Sequence, residues 1–381
     1  MTNQLKRGTT FLRALCAVLF ILFSFFYLYD YQADILSVTQ HVLSHGVTHY
    51  DRTIGAVLIT LVLGLLQLLI YAFTRLDGNF HALTYFPSFL LLGILTDVSP
   101  NLEHESYIGH WYWVFPLLMT VYFGIAWMCR QIESMRLQSK TVGVVSLIWV
   151  NLLFMVALML MTCFIGCSDR LFHHRMRMEN LLQAGDYDKA TRVGSSEHQT
   201  DSSLTFLRIY ALSKTHHLGE RLFEYPLTGG SEVMLPDNKN VKLMMVPETE
   251  VYKELGVFFP KKMPPTDYFA LLHSTNRATR ASHDWLLCAF LLDGNINAFA
   301  NALPKYYLID STLPKHYKEA LILYSRQTLH PSVVYKDPVL EADYEDFTTL
   351  RRTNKDVRLR NNKLRDTYGQ TYWYYYFIGR T

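Results

Sequence analysis

The chain has 381 residues, half of them hydrophobic, 14% aromatic and only 18% charged, with a formal net charge of +3. A soluble globular protein carries about a quarter charged residues, and so weak a positive balance makes no case for nucleic-acid binding. The shortage of charge lies in residues 1–167, which hold nearly all the long apolar runs. Residues 168–381 have the charge density of an ordinary soluble domain, so a membrane half followed by a soluble half is expected.

Five segments approach the roughly 20 apolar residues that cross a bilayer: 12–29, 54–73, 82–96, 111–129 and 142–165. The first follows Lys6 and Arg7 but leads into "FFYLYDYQAD" without a small-x-small cleavage site, so it reads as a retained anchor. The third is short and contains Pro87, which leaves a re-entrant or tilted segment as its alternative. Apart from Arg13 near an end, the spans have no Asp, Glu, Lys or Arg, which argues against an ion-coupled transporter. Gln67 and Asn151 are expected to hydrogen-bond between helices. Lys6, Arg7, Arg75, Arg130, Arg136 and Lys140 fall on one side, against Arg52 on the other. That asymmetry places the N-terminus in the cytoplasm and, after five crossings, the soluble half in the periplasm. Arg170, Arg175 and Arg177 argue the other way, and the side would reverse if 82–96 did not span.

Between the first two spans, "QHVLSHGVTH" sets His41, His45 and His49 four apart, a spacing that would stack three imidazoles on one helix face. His104 and His110 occupy the next outside loop, with Glu103 and Glu105, and imidazole and carboxylate suit zinc. Gly46, Val47 and Thr48 weaken a continuous helix, and "HESYIGH" is not HExxH, so a structural reading is preferred and no cofactor is expected. "FIGC" at Phe164–Cys167 has a lipobox outline, but at the end of a fifth span a helix-end glycine cap is the plainer reading. Asp30 and Asp34 resemble the acidic first outside loop of lipid-linked glycosyltransferases. They give an alternative function: an integral membrane enzyme acting on a lipid or glycan precursor. The five cysteines show no CxxC or zinc spacing.

In the soluble half, Met178–Val193, Ser202–Pro226 and His283–Tyr307 each read as helix, short turn, helix. Asp186 and Asp293, 107 positions apart in the numbering, lie close to three units of a 34-residue tetratricopeptide period. Residues 227–265 have short β-like runs and read as a small hairpin or an ordered excursion. Leu350, Val357 and Leu364 fall one heptad apart beside the basic Arg351, Lys355, Arg358 and Arg365. The closing "TYWYYYFIGR" is too aromatic for a free tail and is expected to cover an apolar end.

"HALTYFPSFLLLGILTD", "LQAGDYDKA", "ALPKYYLIDSTLPKHYKEALILY" and "YGQTYWYYYF" together resemble a family of multi-spanning bacterial membrane proteins of unknown function, known chiefly from Bacteroidota. The resemblance implies a membrane unit followed by a tetratricopeptide-like region, and it transfers no catalytic residue. The expected fold is all-α, a five-helix transmembrane bundle followed by an α-solenoid. The expected function is a membrane-anchored adaptor at the bacterial inner membrane, with the lipid bilayer and a protein as partners. Tyr187, Arg208, Tyr210 and Lys214, polar or aromatic positions on the repeat helices, are the candidate partner-binding residues.

Overall fold

The computed structural model describes residues 2–99, 109–136, 144–195, 197, 199–236, 240–259, 263–353 and 356–380. Among these residues the chain is all-helical, with no β-strand. It divides into two compact units, Met1–His173 and His174–Thr381. The division falls inside a helix, a few residues beyond the expected boundary.

The first unit contains α1 (Thr2–Phe26), α2 (Ala33–Leu43), α3 (Arg52–Thr74), α4 (Phe86–Thr96), α5 (Trp111–Arg136) and α6 (Val144–Ile165). Five helical segments are long and apolar enough to cross a membrane: Gly8–Tyr31, Arg52–Thr74, Gly78–Thr96, Trp111–Glu133 and Val145–Ile165. The third is helical throughout because an 8-residue 3-10 stretch, Gly78–Tyr85, precedes the 11-residue α4. A 3-10 turn rises about 2.0 Å per residue against 1.5 Å in an α-helix, so the pair reaches roughly 32 Å, near the bilayer's apolar thickness of about 30 Å. Pro87 does not interrupt it. It sits in the first turn of α4, where the 3-10 stretch gives way to the α-helix.

α4 is the centre of this unit, and Phe89, Leu90 and Leu92 on it are fully buried. Phe20 packs edge-on to Phe89, with ring centroids 5.1 Å apart. Buried polar side chains bond across helices, as expected of groups that lipid cannot satisfy. Gln67 Nε2 donates to Thr84 at 3.0 Å. The Asn151 amide accepts from Ala82 N–H and donates to the Gly78 carbonyl, each at 2.8 Å.

The second unit is built from α7 (Arg170–Gln183), which crosses the division, α8 (Tyr187–Arg192), α9 (Ser202–Lys214), α10 (Leu218–Arg221), α11 (Glu248–Leu255), α12 (Pro265–Ser274), α13 (Arg280–Leu292), α14 (Ile296–Ala302), α15 (Lys315–Gln327), α16 (Pro338–Thr353), α17 (Val357–Tyr368) and α18 (Tyr372–Tyr374). One turn recurs. Asp186 N–H bonds back to Leu181 and Gly185 N–H to Leu182, at 2.9 and 3.1 Å, with Gly185 left-handed at φ +77°. The same six-to-one and five-to-two bonds, the Schellman cap, close α9 at His216–His217, α12 at Asn276–Arg277 and α13 at Gly294–Asn295. Asp186, His217 and Asn295 then serve as the N-caps of α8, α10 and α14.

Of the hairpin or ordered excursion expected in 227–265, the described residues form the excursion, with a 3-10 turn, Ser231–Met234, and α11. The backbone N–H groups of its β-like run find side chains rather than a strand. Lys242 N–H donates to Ser203, and Met244 and Met245 N–H donate to the buried Glu179 carboxylate at 2.8 and 2.5 Å. The heptad stripe also divides, because Asp356 caps a new helix by accepting from Arg358 and Leu359 N–H. Leu364 is buried while Val357 is exposed; Lys355 lies outside the described residues. The closing aromatics are inside as expected. Trp373 is buried and its indole N–H donates to the Glu319 carbonyl at 2.8 Å.

Candidate functional site

The three histidines of the first loop do not share a helix face. α2 ends at Leu43, and the chain then makes the same Schellman turn, with His45 left-handed at φ +51° and Gly46 N–H bonded to the His41 carbonyl at 2.8 Å. His41 and His49 return to within 6.5 Å of each other, ring centre to ring centre. Burial, and then the neighbouring His49, pulls the His41 pKa down, which favours neutral imidazole. His110 is exposed beside Trp111, and His104 lies outside the described residues. Among the described residues no group of three or more His, Cys, Asp or Glu is placed to hold a metal ion. Asp34 pairs with Arg52 at 3.2 Å, and Asp30 is exposed in the π-turn Tyr27–Tyr31.

The Gly166-Cys167 pair has a packing role. A Cβ at Gly166 would lie 2.1 Å from the Tyr27 hydroxyl oxygen, so the glycine permits close approach and is not a left-handed cap. Cys167 N–H donates to the Thr96 carbonyl at 2.9 Å, and its own carbonyl accepts from Gln32 Nε2 at 2.9 Å.

Of the four candidate partner-binding residues, three gather. The Lys214 ammonium lies 5.3 Å from the Tyr210 ring centre and 5.9 Å from that of Tyr187, and donates to Glu254 at 2.7 Å. Burial pulls the Lys214 pKa down, but the Glu254 hydrogen bond and the tyrosines outweigh it, so the ammonium is held above its ordinary value. Tyr210 is itself buried, so Lys214 and Tyr187, each half-buried, form the reachable part. Arg208 is different: it is fully enclosed. Its guanidinium donates to the Val193 carbonyl at 2.8 Å and lies over the Tyr225 ring at 4.6 Å. Burial brings its pKa down to about 10, which still leaves it charged at neutral pH. Arg208 therefore ties the α7–α8 hairpin to the chain beyond α9 and offers no surface to a partner.

Sequence reasoning missed one cluster in the first unit. Arg13 on α1 pairs with Asp77 and lies over the Tyr71 ring at 4.9 Å, and Tyr71 donates to Asp77 at 3.1 Å. Asp77 N–H approaches Glu133 of α5 at 3.4 Å. Glycine suits position 78, which is left-handed at φ +56° with Glu133 Oε1 2.2 Å from where a Cβ would stand. The arrangement ties three helices together at one end: the Arg13 guanidinium serves Asp77, and Glu133 meets the Asp77 backbone N–H. Its one sequence signal was Arg13 inside an apolar run.

Residues 104–258 and 258–379 match the model of a family of unknown function (DUF6057), and the chain belongs to that family. No curated protein and no solved structure matches it.

Proposed function

We propose that this member of the family of unknown function is a membrane-anchored adaptor: the first unit spans the bacterial inner membrane and the second, a tetratricopeptide-like solenoid, binds a protein partner in the periplasm. The observation that carries the reading is the repeated plan of the second unit. A helix of 13 or 14 residues, a Schellman cap and a short helix occur at α7–α8, α9–α10 and α13–α14. Chains built from stacked helical hairpins present extended surfaces whose usual work is to hold another polypeptide. The Tyr187–Lys214 patch, a cation framed by aromatic rings, suits an acidic or aromatic side chain of such a partner. The periplasmic side follows from the lysine and arginine asymmetry of the short loops.

The test is in-cell crosslinking and pull-down of the full-length chain beside a chain lacking residues 168–381. A stoichiometric partner captured only with the second unit present, and weakened by Lys214→Glu, supports the adaptor. Equal capture by the truncated chain sinks it.

A further inference from the structure

Residues 351–365 hold seven lysines and arginines and a single acid, Asp356, so this short stretch carries more positive charge than the whole chain's +3. The rest of the chain is net negative. Where charge is concentrated, rather than its total, decides what a surface attracts. Two of these cations are engaged or withdrawn: Arg351 lies over the Phe377 ring at 3.8 Å, and Arg360 is half-buried. Others stand out on α17. At 3.6 residues per turn, Arg358, Leu359, Lys363 and Arg365 fall within about 160° of its circumference, opposite the buried Leu364. All four are exposed, and Leu359, between Arg358 and Lys363 on that arc, is 55% exposed. The acid on the same arc, Asp366, faces Arg365 at 3.9 Å, and among the described residues no carboxylate pairs with Arg358 or Lys363.

A face of this kind fits an anionic surface, and the rest of the chain says which. A soluble acidic partner has to arrive by diffusion. The first unit, read as membrane-spanning, instead ties the second to a bilayer, with only four residues between the end of α6 and the start of α7. A tethered surface meets headgroups at high effective concentration. Phosphate is matched by the cations, each worth about fivefold in affinity near an anionic membrane, and an exposed leucine among them suits the headgroup layer. We propose that the exposed face of α17 docks on anionic phospholipid, with Arg358, Lys363 and Arg365 on the phosphates and Leu359 entering the headgroup layer. This rests on the membrane-spanning reading of the first unit and is independent of the protein partner.

The test places the photocrosslinking residue benzoylphenylalanine at position 359 of the full-length chain. The protein is irradiated in nanodiscs of phosphatidylcholine, with or without phosphatidylglycerol, and lipid adducts are counted by mass spectrometry. Adducts at 359 are expected with phosphatidylglycerol and at least tenfold fewer in phosphatidylcholine alone. They are expected to fall as far in the double variant Arg358→Glu, Lys363→Glu, and at about 0.5 M NaCl, where the Debye length shrinks to roughly 4 Å. Position 329, 94% exposed on the turn after α15, is expected to take no lipid. Position 69, 66% exposed on α3, is expected to take lipid in both nanodiscs. Adducts at 359 that ignore lipid charge and the double variant, or that are matched at 329, overturn the docking face. Crosslinking of 359 to another copy of the chain overturns it in favour of a protein surface. Lipid at 69 and none at 359 overturns the docking face alone, whereas lipid at neither overturns the membrane-spanning reading with it.

Discussion

Glu319 shows how much can depend on one side chain. It is 1% exposed, and one carboxylate oxygen accepts from Tyr372 N–H at 2.7 Å and faces His316 Nδ1 at 2.9 Å. Glu319→Ala leaves a buried N–H and an imidazole nitrogen without their partner. We expect it to lower the unfolding free energy by about 3 kcal/mol, read as the urea midpoint of the tryptophan fluorescence transition, with Glu319→Gln losing less. An alanine variant as stable as wild type refutes the assignment. Arg208 makes the same point about reading sequence. An arginine on a repeat helix looks like surface, and only the Val193 carbonyl and the Tyr225 ring, brought to it by the fold, explain why it is inside. Gln67 and Asn151 were legible because a polar residue in a span has few options. Asp77 and Glu133 were not, since nothing in a linear chain pairs a turn residue with a helix end 56 positions away.

At the scale of elements, the caps set the plan. Gly185 and Gly294 suit the left-handed position, but His216 at φ +58° and Asn276 at φ +54° occupy it with side chains. His216→Gly is therefore expected to stabilise the second unit by about 1 kcal/mol, seen as a raised urea midpoint; a lowered midpoint counts against a strained cap. The α12–α13 pair carries a pH dependence. His273 and His283 stack with ring centroids 5.1 Å apart, and Tyr306 lies 4.3 Å from His283. Burial lowers both imidazole pKa values. His273 is lowered further by His283 and Lys305, while His283 feels Asp284 upward and Arg280 downward. With folded values below the ordinary 6.5, the unfolded chain binds protons first as pH falls. The pair's contribution to stability is thus whole above pH 6.5 and declines below it. His283→Phe is expected to flatten the slope of stability against pH between about 6.5 and 5; an unaltered slope places the titration elsewhere. The hairpins were legible from Gly185-Asp186 and Asp293-Gly294. The turn after His41 was half legible, since Gly46 announced a break but not that His45 would take the left-handed position. The 227–265 segment was left between a hairpin and an ordered excursion, because β-like composition says nothing about whether a carboxylate or a strand will receive its N–H groups.

For the whole molecule, the step in charge density along the chain announced two units, and two compact units are found. Under the proposed orientation, a cysteine placed at Leu329, which is 94% exposed, reacts with an impermeant maleimide in cells with a permeabilised outer membrane. One placed at the exposed Arg75 reacts only after the inner membrane is opened. The reverse pattern would put the second unit in the cytoplasm and its partner with it. What composition could not supply was where the third segment begins: 82–96 looked short until a 3-10 stretch proved to extend the helix back to Gly78.

The end of α13 has a consequence for biosynthesis. Three successive carbonyls there, Leu291, Leu292 and Asp293, accept from Tyr372, Tyr375 and Arg380 at 3.2, 3.0 and 2.9 Å. The Schellman cap already gives the Leu291 carbonyl the Gly294 N–H, but helix-end carbonyls beyond it need water or a further cap, so Leu292 and Asp293 stay with water while some 80 further residues are still being translated. The second unit therefore completes its core only when its final aromatic residues leave the ribosome. Until then the nascent domain exposes the surface those residues will cover, and it is in that interval that it is most open to chaperones and proteases.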